Sequence, residues 1–158
     1  VFRKQGENDF KFTNLGKDGF PEERLQNASV KQFGVLNEYF FKPTSTSEIM
    51  IQASVISTER EIPAIMLVNN NRELQNDEAY RATLGYKIEK KNWKLDLKSS
   101  GFIDQLDYEN QLLQTKTNTT FRGIKNLAHF NWTLEDHHQL IVKLSLLGSW
   151  LLQYFLYI

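Results

Sequence analysis

From Asp77 to Phe102 the chain reads DEAYRATLGYKIEKKNWKLDLKSSGF, alternating apolar and polar residues, breaking at residues 90–92 and alternating again. Tyr80, Ala82, Leu84, Tyr86 and Ile88 fall on one side, with Arg81, Thr83, Gly85, Lys87 and Glu89 on the other. Successive side chains of a strand point to opposite faces, so this spacing predicts a strand with one apolar and one polar face. Trp93, Leu95 and Leu97, opposed to Lys94, Asp96 and Lys98, predict a second strand joined to the first by a connection of hairpin length. In a helix, apolar residues two apart would scatter round the axis instead of lining one side.

The pattern recurs along the chain. Further strands are predicted over residues 8–15, with Phe10 and Phe12 on one face, and 27–41, with Phe33, Val35, Tyr39 and Phe41. Others follow over 47–58, with Ile49, Ile51, Ala53 and Val55, and over 117–132, with Ile124, Ala128, Phe130 and Trp132. Arg122 is out of phase in the last of these, and its other face is mixed, with Phe121 and Leu127 among polar residues. Residues 139–146 close the series with Leu140, Val142, Leu144 and Leu146. The expected fold is all-β, an antiparallel up-and-down meander of about seven strands occupying residues 1–145. Residues 146–158, LLGSWLLQYFLYI, are almost wholly apolar and do not alternate, which marks an atypical C-terminal segment. It is shorter than the roughly 17 residues of a spanning helix. A damaged gene end and a last strand finishing in aromatics both remain open.

The connections add orientation. Those at 42–46, 90–92 and 133–138 are short, whereas 16–26, 59–77 and 109–116 are longer and mostly polar. Tight turns at one end and extended loops at the other are the pattern of a transmembrane β-barrel. In that setting the apolar face meets lipid, the polar face meets a water-filled lumen, and Tyr39, Tyr86, Trp93 and Trp132 sit at the membrane interface. A soluble antiparallel barrel or sandwich would turn the same apolar face toward a core, and alternation alone does not choose between them.

Composition narrows the chemistry. Lys plus Arg and Asp plus Glu stand at 19 each, so no basic excess argues for nucleic acid as a partner. Absence of cysteine removes disulfides, thiolate metal sites and cysteine nucleophiles together. The chain opens on Val1 with neither a charged n-region nor an apolar h-region, so a signal peptide is expected to lie outside this sequence or to have been removed. There is no Gly-rich phosphate loop, serine elbow or defensible pair of catalytic carboxylates, so neither an enzyme nor a cofactor is expected. Glu135, Asp136, His137 and His138 carry metal-ligand chemistry, but neighbours on a tight turn do not converge on one ion, and a solvated turn is expected there. Candidates for a ligand path are Arg60 and Glu61, which open a long loop, and Asp104 and Tyr108, which share the polar face of their strand. A structural polar ladder is the plainer reading of the latter two.

The stretches NDFKFTN (8–14), RLQNASVKQFGVL (24–36), STEREIPAIM (57–66), LQNDEAYRATLGYK (74–87) and WKLDLKSSGFIDQLDY (93–108) carry a resemblance. In that order and spacing they resemble successive barrel strands of TonB-dependent outer-membrane receptors, with Arg-Glu-Ile-Pro at 60–63 the most telling piece. The resemblance covers about residues 8–145. It implies residence in the bacterial outer membrane, in a barrel of about 22 strands closed by an N-terminal plug. Such receptors take up large nutrients, such as iron chelates, cobalamin or glycans, driven by the TonB energy-coupling complex acting through the plug. The implied partners are therefore outer-membrane lipid, a plug domain, the remaining barrel strands and that complex. Since closed bacterial barrels have an even number of strands, about eight at least, seven strands are expected to form part of a barrel wall. The alternative is a small closed β-barrel, lipocalin-like or an eight-stranded outer-membrane protein, that binds an apolar ligand.

Overall fold

A computed structural model describes residues 1–63, 73–135 and 138–157. Its elements are β1 (Phe2–Gly6), β2 (Lys11–Thr13), β3 (Glu22–Arg24), β4 (Val30–Thr44), β5 (Ser47–Ile62), β6 (Glu73–Glu89), β7 (Trp93–Asn110), β8 (Thr115–Glu135) and β9 (His138–Tyr157). Seven of these form one antiparallel sheet in the order β1-β4-β5-β6-β7-β8-β9, the up-and-down meander that the alternation predicts. β2 and β3 pair only with each other.

The first strand of the sheet is not the expected one. Residues 2–6 pair with β4, Phe2 lying opposite Gly34, whereas the run 8–15 supplies β2 to the separate hairpin. Asn8 adopts a positive φ of 49°, which turns the chain out of the sheet, and its side-chain amide donates to the Ala28 carbonyl at 3.0 Å. Positive φ suits Asn because its short polar side chain can bond the local backbone. Within the hairpin, Asn14 is fully buried: its amide donates to Glu23 at 2.9 Å, and its Oδ1 accepts the Gly16 N–H at 3.0 Å.

Two expected loops are shorter than the sequence pattern indicates. The β5–β6 ladder continues through Glu59↔Asn76 to Ile62↔Glu73, inside the stretch 59–77. β7 and β8 meet at a tight turn over 111–114, where the Asn110 side-chain carbonyl accepts the N–H groups of Leu112 and Leu113, each at 3.0 Å. Apolar alternation reports what covers a strand. It is silent where both faces are polar, although the backbone ladder runs on.

At the C-terminal end the ladder also continues. Residues 146–157 are the second half of β9, paired in register with β8 as far as Thr115↔Tyr157.

The main sheet is a single layer. Among the described residues Ala28 is the only buried apolar one, while large side chains on the strands stand exposed, Leu84 at 55% and Leu146 at 70%. β1 and β9 form the two edges, and among the described residues no contact joins them. Burial of apolar surface is the main drive to fold. Here most of that surface is left for something beyond the described residues to cover.

Candidate functional site

Register sorts the side chains into two faces. Asn37, Ala53, Ala82, Gly101, Ile124 and Gly148 form one row across the sheet, and every residue an even number of positions from these shares their face. On this apolar face five-residue uncharged stretches run from the last charged residue toward the tight turns, over 33–41 in β4, 80–88 in β6 and 124–132 in β8, and Pro43 and Leu134 extend two of them. The midpoints of these stretches are Asn37, Leu84 and Ala128. The row through Asn37 meets β6 at Ala82 and β8 at Ile124, so the apolar stretch has moved two residues after two strands and four residues after four. From β4 to β8 that is one residue per strand toward the tight turns, whereas in β9 the apolar residues of this face run on from Leu140 to Leu152. With about 3.3 Å of rise per residue and about 4.8 Å between strands, the band crosses the sheet inclined by about 35° to the perpendicular of the strands.

Aromatic residues mark the margins of this band. Tyr39, Tyr86, Trp93 and Trp132 follow its margin on the side of the tight turns, Trp93 directly opposite Trp132. On the other margin stand Tyr80 in β6 and Trp150 in β9. Beyond that margin the same face becomes polar and internally bonded from β4 to β8: Lys31 pairs with Glu59 at 2.9 Å, Lys116 with Glu109 at 4.0 Å, and Asn118 donates to Asp107.

The opposite face holds three of the four ligand-path candidates. Arg60 and Tyr108 share a row, Arg60↔Gln75↔Tyr108, near the long-loop end. Arg60 forms an ion pair with Asp77, two residues along β6 from Gln75. Asp104 lies four residues from Tyr108 toward the tight turns, where it accepts from Arg81 at 2.5 Å. Arg81 also donates to the Ile103 carbonyl at 3.3 Å and lies 5.4 Å from the centre of the Phe102 ring. Glu61 is on the apolar face and takes no part in this cluster. Its carboxylate accepts the Ser29 N–H at 3.1 Å and its own N–H donates to the Ser29 carbonyl at 2.9 Å, clamping the end of β5 to the start of β4. Arg60 and Glu61, adjacent in sequence, thus point to opposite faces and find separate partners.

Further rungs cross the polar face. Gln32 donates to Thr58 at 3.1 Å, Gln52 to Glu38 at 2.6 Å, and Thr83 and Ser100 bond at 2.9 Å. Two glycines there serve aromatic neighbours: the Phe2 ring lies over Gly34 and the Phe102 ring over Gly123, where a Cβ would collide with the ring. Sequence reasoning missed Arg81 and Asp77 as partners of the named candidates. Both lie in the alternating run, but only the register shows which strand neighbours they reach.

No cluster of metal-binding side chains occurs among the described residues. Asp136 and His137 lie outside those residues, and of Glu135 and His138 only the backbone is described. No protein-family model matches the chain, and no curated protein matches it.

Proposed function

We propose that this chain is a stretch of the wall of an outer-membrane β-barrel, its apolar face toward lipid and its polar face toward the lumen. The observation that carries this reading is the inclination of the apolar band. Strands of transmembrane barrels tilt by about 35–45°, so a flat slab of hydrocarbon must cut successive strands at steadily shifting positions. A shift of one residue per strand corresponds to about 35°. At that tilt the apolar stretches span about 25 Å, the height of a barrel's lipid-facing band. Tyr and Trp along both margins, and paired charges beyond one of them, fit the interface and the aqueous side. In hydrocarbon the unpaired backbone edges of β1 and β9 would be costly, so both are bonded to further strands in the assembled wall.

The particular barrel is a TonB-dependent receptor, the family that the ordered stretches of sequence resemble. The chain then contributes to active uptake of a large nutrient, an iron chelate, cobalamin or a glycan. Its polar face, with Arg60, Asp104 and Tyr108, lines the lumen around the plug on which the TonB complex acts. The long-loop end faces outward. Its role is transport and not catalysis.

The test uses the absence of cysteine, which allows a single reporter thiol at Leu84 or at Thr83. With the protein folded in phospholipid vesicles, a fluorophore at Leu84→Cys is expected to be quenched by nitroxide lipids and one at Thr83→Cys by iodide in water. A protein that is monomeric without detergent, with Leu84→Cys shielded from both quenchers, overturns the reading in favour of the small closed barrel.

A further inference from the structure

Arg122 stands on the apolar face, two residues beyond the band in β8, directly between Ile103 and Trp150 in the neighbouring strands. It is exposed and makes no ion pair or side-chain hydrogen bond among the described residues. This sets it apart from Lys31 and Lys116 of the same face, which have Glu59 and Glu109. Beside it is a depression of about 660 Å³ whose lining includes Ala53, Ala82, Gly101, Tyr80, Ile103 and Trp150. Gly101 opens it: a Cβ there would meet nothing within 4 Å.

We infer that this place binds an acidic membrane lipid, its phosphate on the Arg122 guanidinium and an acyl chain along the depression beneath. The inference rests on the lipid-facing reading above. An unpaired guanidinium beside the apolar band is costly in hydrocarbon unless it reaches the interface, and Arg has the length to do so. At that level its planar fork matches phosphate oxygens in a two-pronged contact, and net negative charge on the lipid adds attraction. The occupant is therefore amphiphilic, anionic at one end and apolar at the other, which describes an acidic lipid better than a peptide or a second sheet edge.

Trp150 is the reporter, because Trp93→Phe with Trp132→Phe leaves it the single tryptophan of three. The protein is placed in neutral-detergent micelles and titrated with nitroxide-labelled phosphatidylglycerol or phosphatidylcholine. Quenching by phosphatidylglycerol is expected at about fivefold lower mole fraction, the ratio that one cation near an anionic surface supplies. Arg122→Gln should abolish this preference and Arg122→Lys should retain part of it, with the far-ultraviolet strand signal verifying that each variant is folded. Equal quenching by the two lipids in the parent, or a preference that survives Arg122→Gln, overturns the inference while leaving the lipid-facing assignment intact. Absence of quenching by either lipid overturns both.

Discussion

Leu84 in β6 and Leu146 in β9 lie in the same row of the sheet, and so do Thr83 and Leu147 in the row beside it on the opposite face. In β6 the change of face is a change of kind: Leu84 is an exposed apolar side chain, whereas Thr83 bonds Ser100 across the strands. In β9 the contrast is weaker: the face of Leu146 is apolar from Leu140 to Leu152 apart from Gly148, whereas the opposite face mixes apolar residues with Lys143, Ser145 and Ser149. Leu147 is 67% exposed, and Ile141 and Leu151 share its face. The backbone ladder is equally continuous in both strands. Alternation is therefore a record of two unlike surroundings and not of strand formation. The central strands are built for an apolar medium on one side and water on the other, and β9 keeps that division only in part, with leucines beside Lys143, Ser145 and Ser149 on its second face.

The largest effect is expected from Leu84→Arg, which puts a cation near the middle of the apolar band. Urea unfolding in vesicles should show a loss of about 2–4 kcal/mol, the cost of Arg at the midplane of a membrane barrel. Thr83→Arg should change little. In β9 the same pair sharpens the comparison: Leu146→Arg should be costly and Leu147→Arg, on the face that carries Lys143, less so, and equal costs would mean that both faces of β9 meet apolar surroundings.

Gly123 joins the two regions, since a Cβ there would meet the Phe102 ring of β7 and, at 2.9 Å, the Gly148 carbonyl of β9. Gly123→Val should therefore destabilise by about 1–3 kcal/mol, as overpacking does, and amide exchange should quicken first along the β8–β9 ladder. Arg81→Ala with Asp104→Ala, taken as a double-mutant cycle, should report a coupling of about 0–1 kcal/mol, because both side chains are half exposed. Among the described residues no ion pair links β9 to its neighbour, so the last strand has no counterpart to this term.

The smallest effect belongs to the β2–β3 hairpin, which lies outside both regions. Lys17, donating at 2.6 Å, and then Asn14 hold the Glu23 carboxyl below its ordinary range. A lowered folded value means that this contribution is present above about pH 4.3, the unfolded value, and is lost as pH falls through the folded value. Amide exchange in the hairpin should rise over that acid window while the main sheet is unaffected. Glu23→Gln should remove the pH dependence.

How much was legible in the sequence follows the same line. β5 to β7 could be placed to within a few residues because Ile49 to Val55, Tyr80 to Ile88 and Trp93 to Leu97 alternate against polar neighbours. Phe10 and Phe12 alternate as well, yet Phe12 belongs to a three-residue strand of a side hairpin and Phe10 precedes it, because so short a run cannot specify its partner. β1, the true first strand, reads FRKQG and carries no apolar period at all. Of the candidate site, the shared face of Asp104 and Tyr108 follows from their even spacing within one strand. That Arg60 joins them while Glu61 does not depends on which residues of β5, β6 and β7 stand opposite one another.

The sequence by itself determined which side chains share a face within each strand, because the two-residue period of a strand is local. It also pointed to a meander, since the connections at 42–46, 90–92 and 133–138 are too short for anything but antiparallel neighbours. Only the tertiary structure decided the register, and with it the inclination of the apolar band, the pairing of Arg60 with Asp77 and of Arg81 with Asp104, and the isolation of Arg122. These depend on relations between strands, and many registers are compatible with the same alternating pattern. The continuous backbone ladder and the cross-strand side-chain bonds select one.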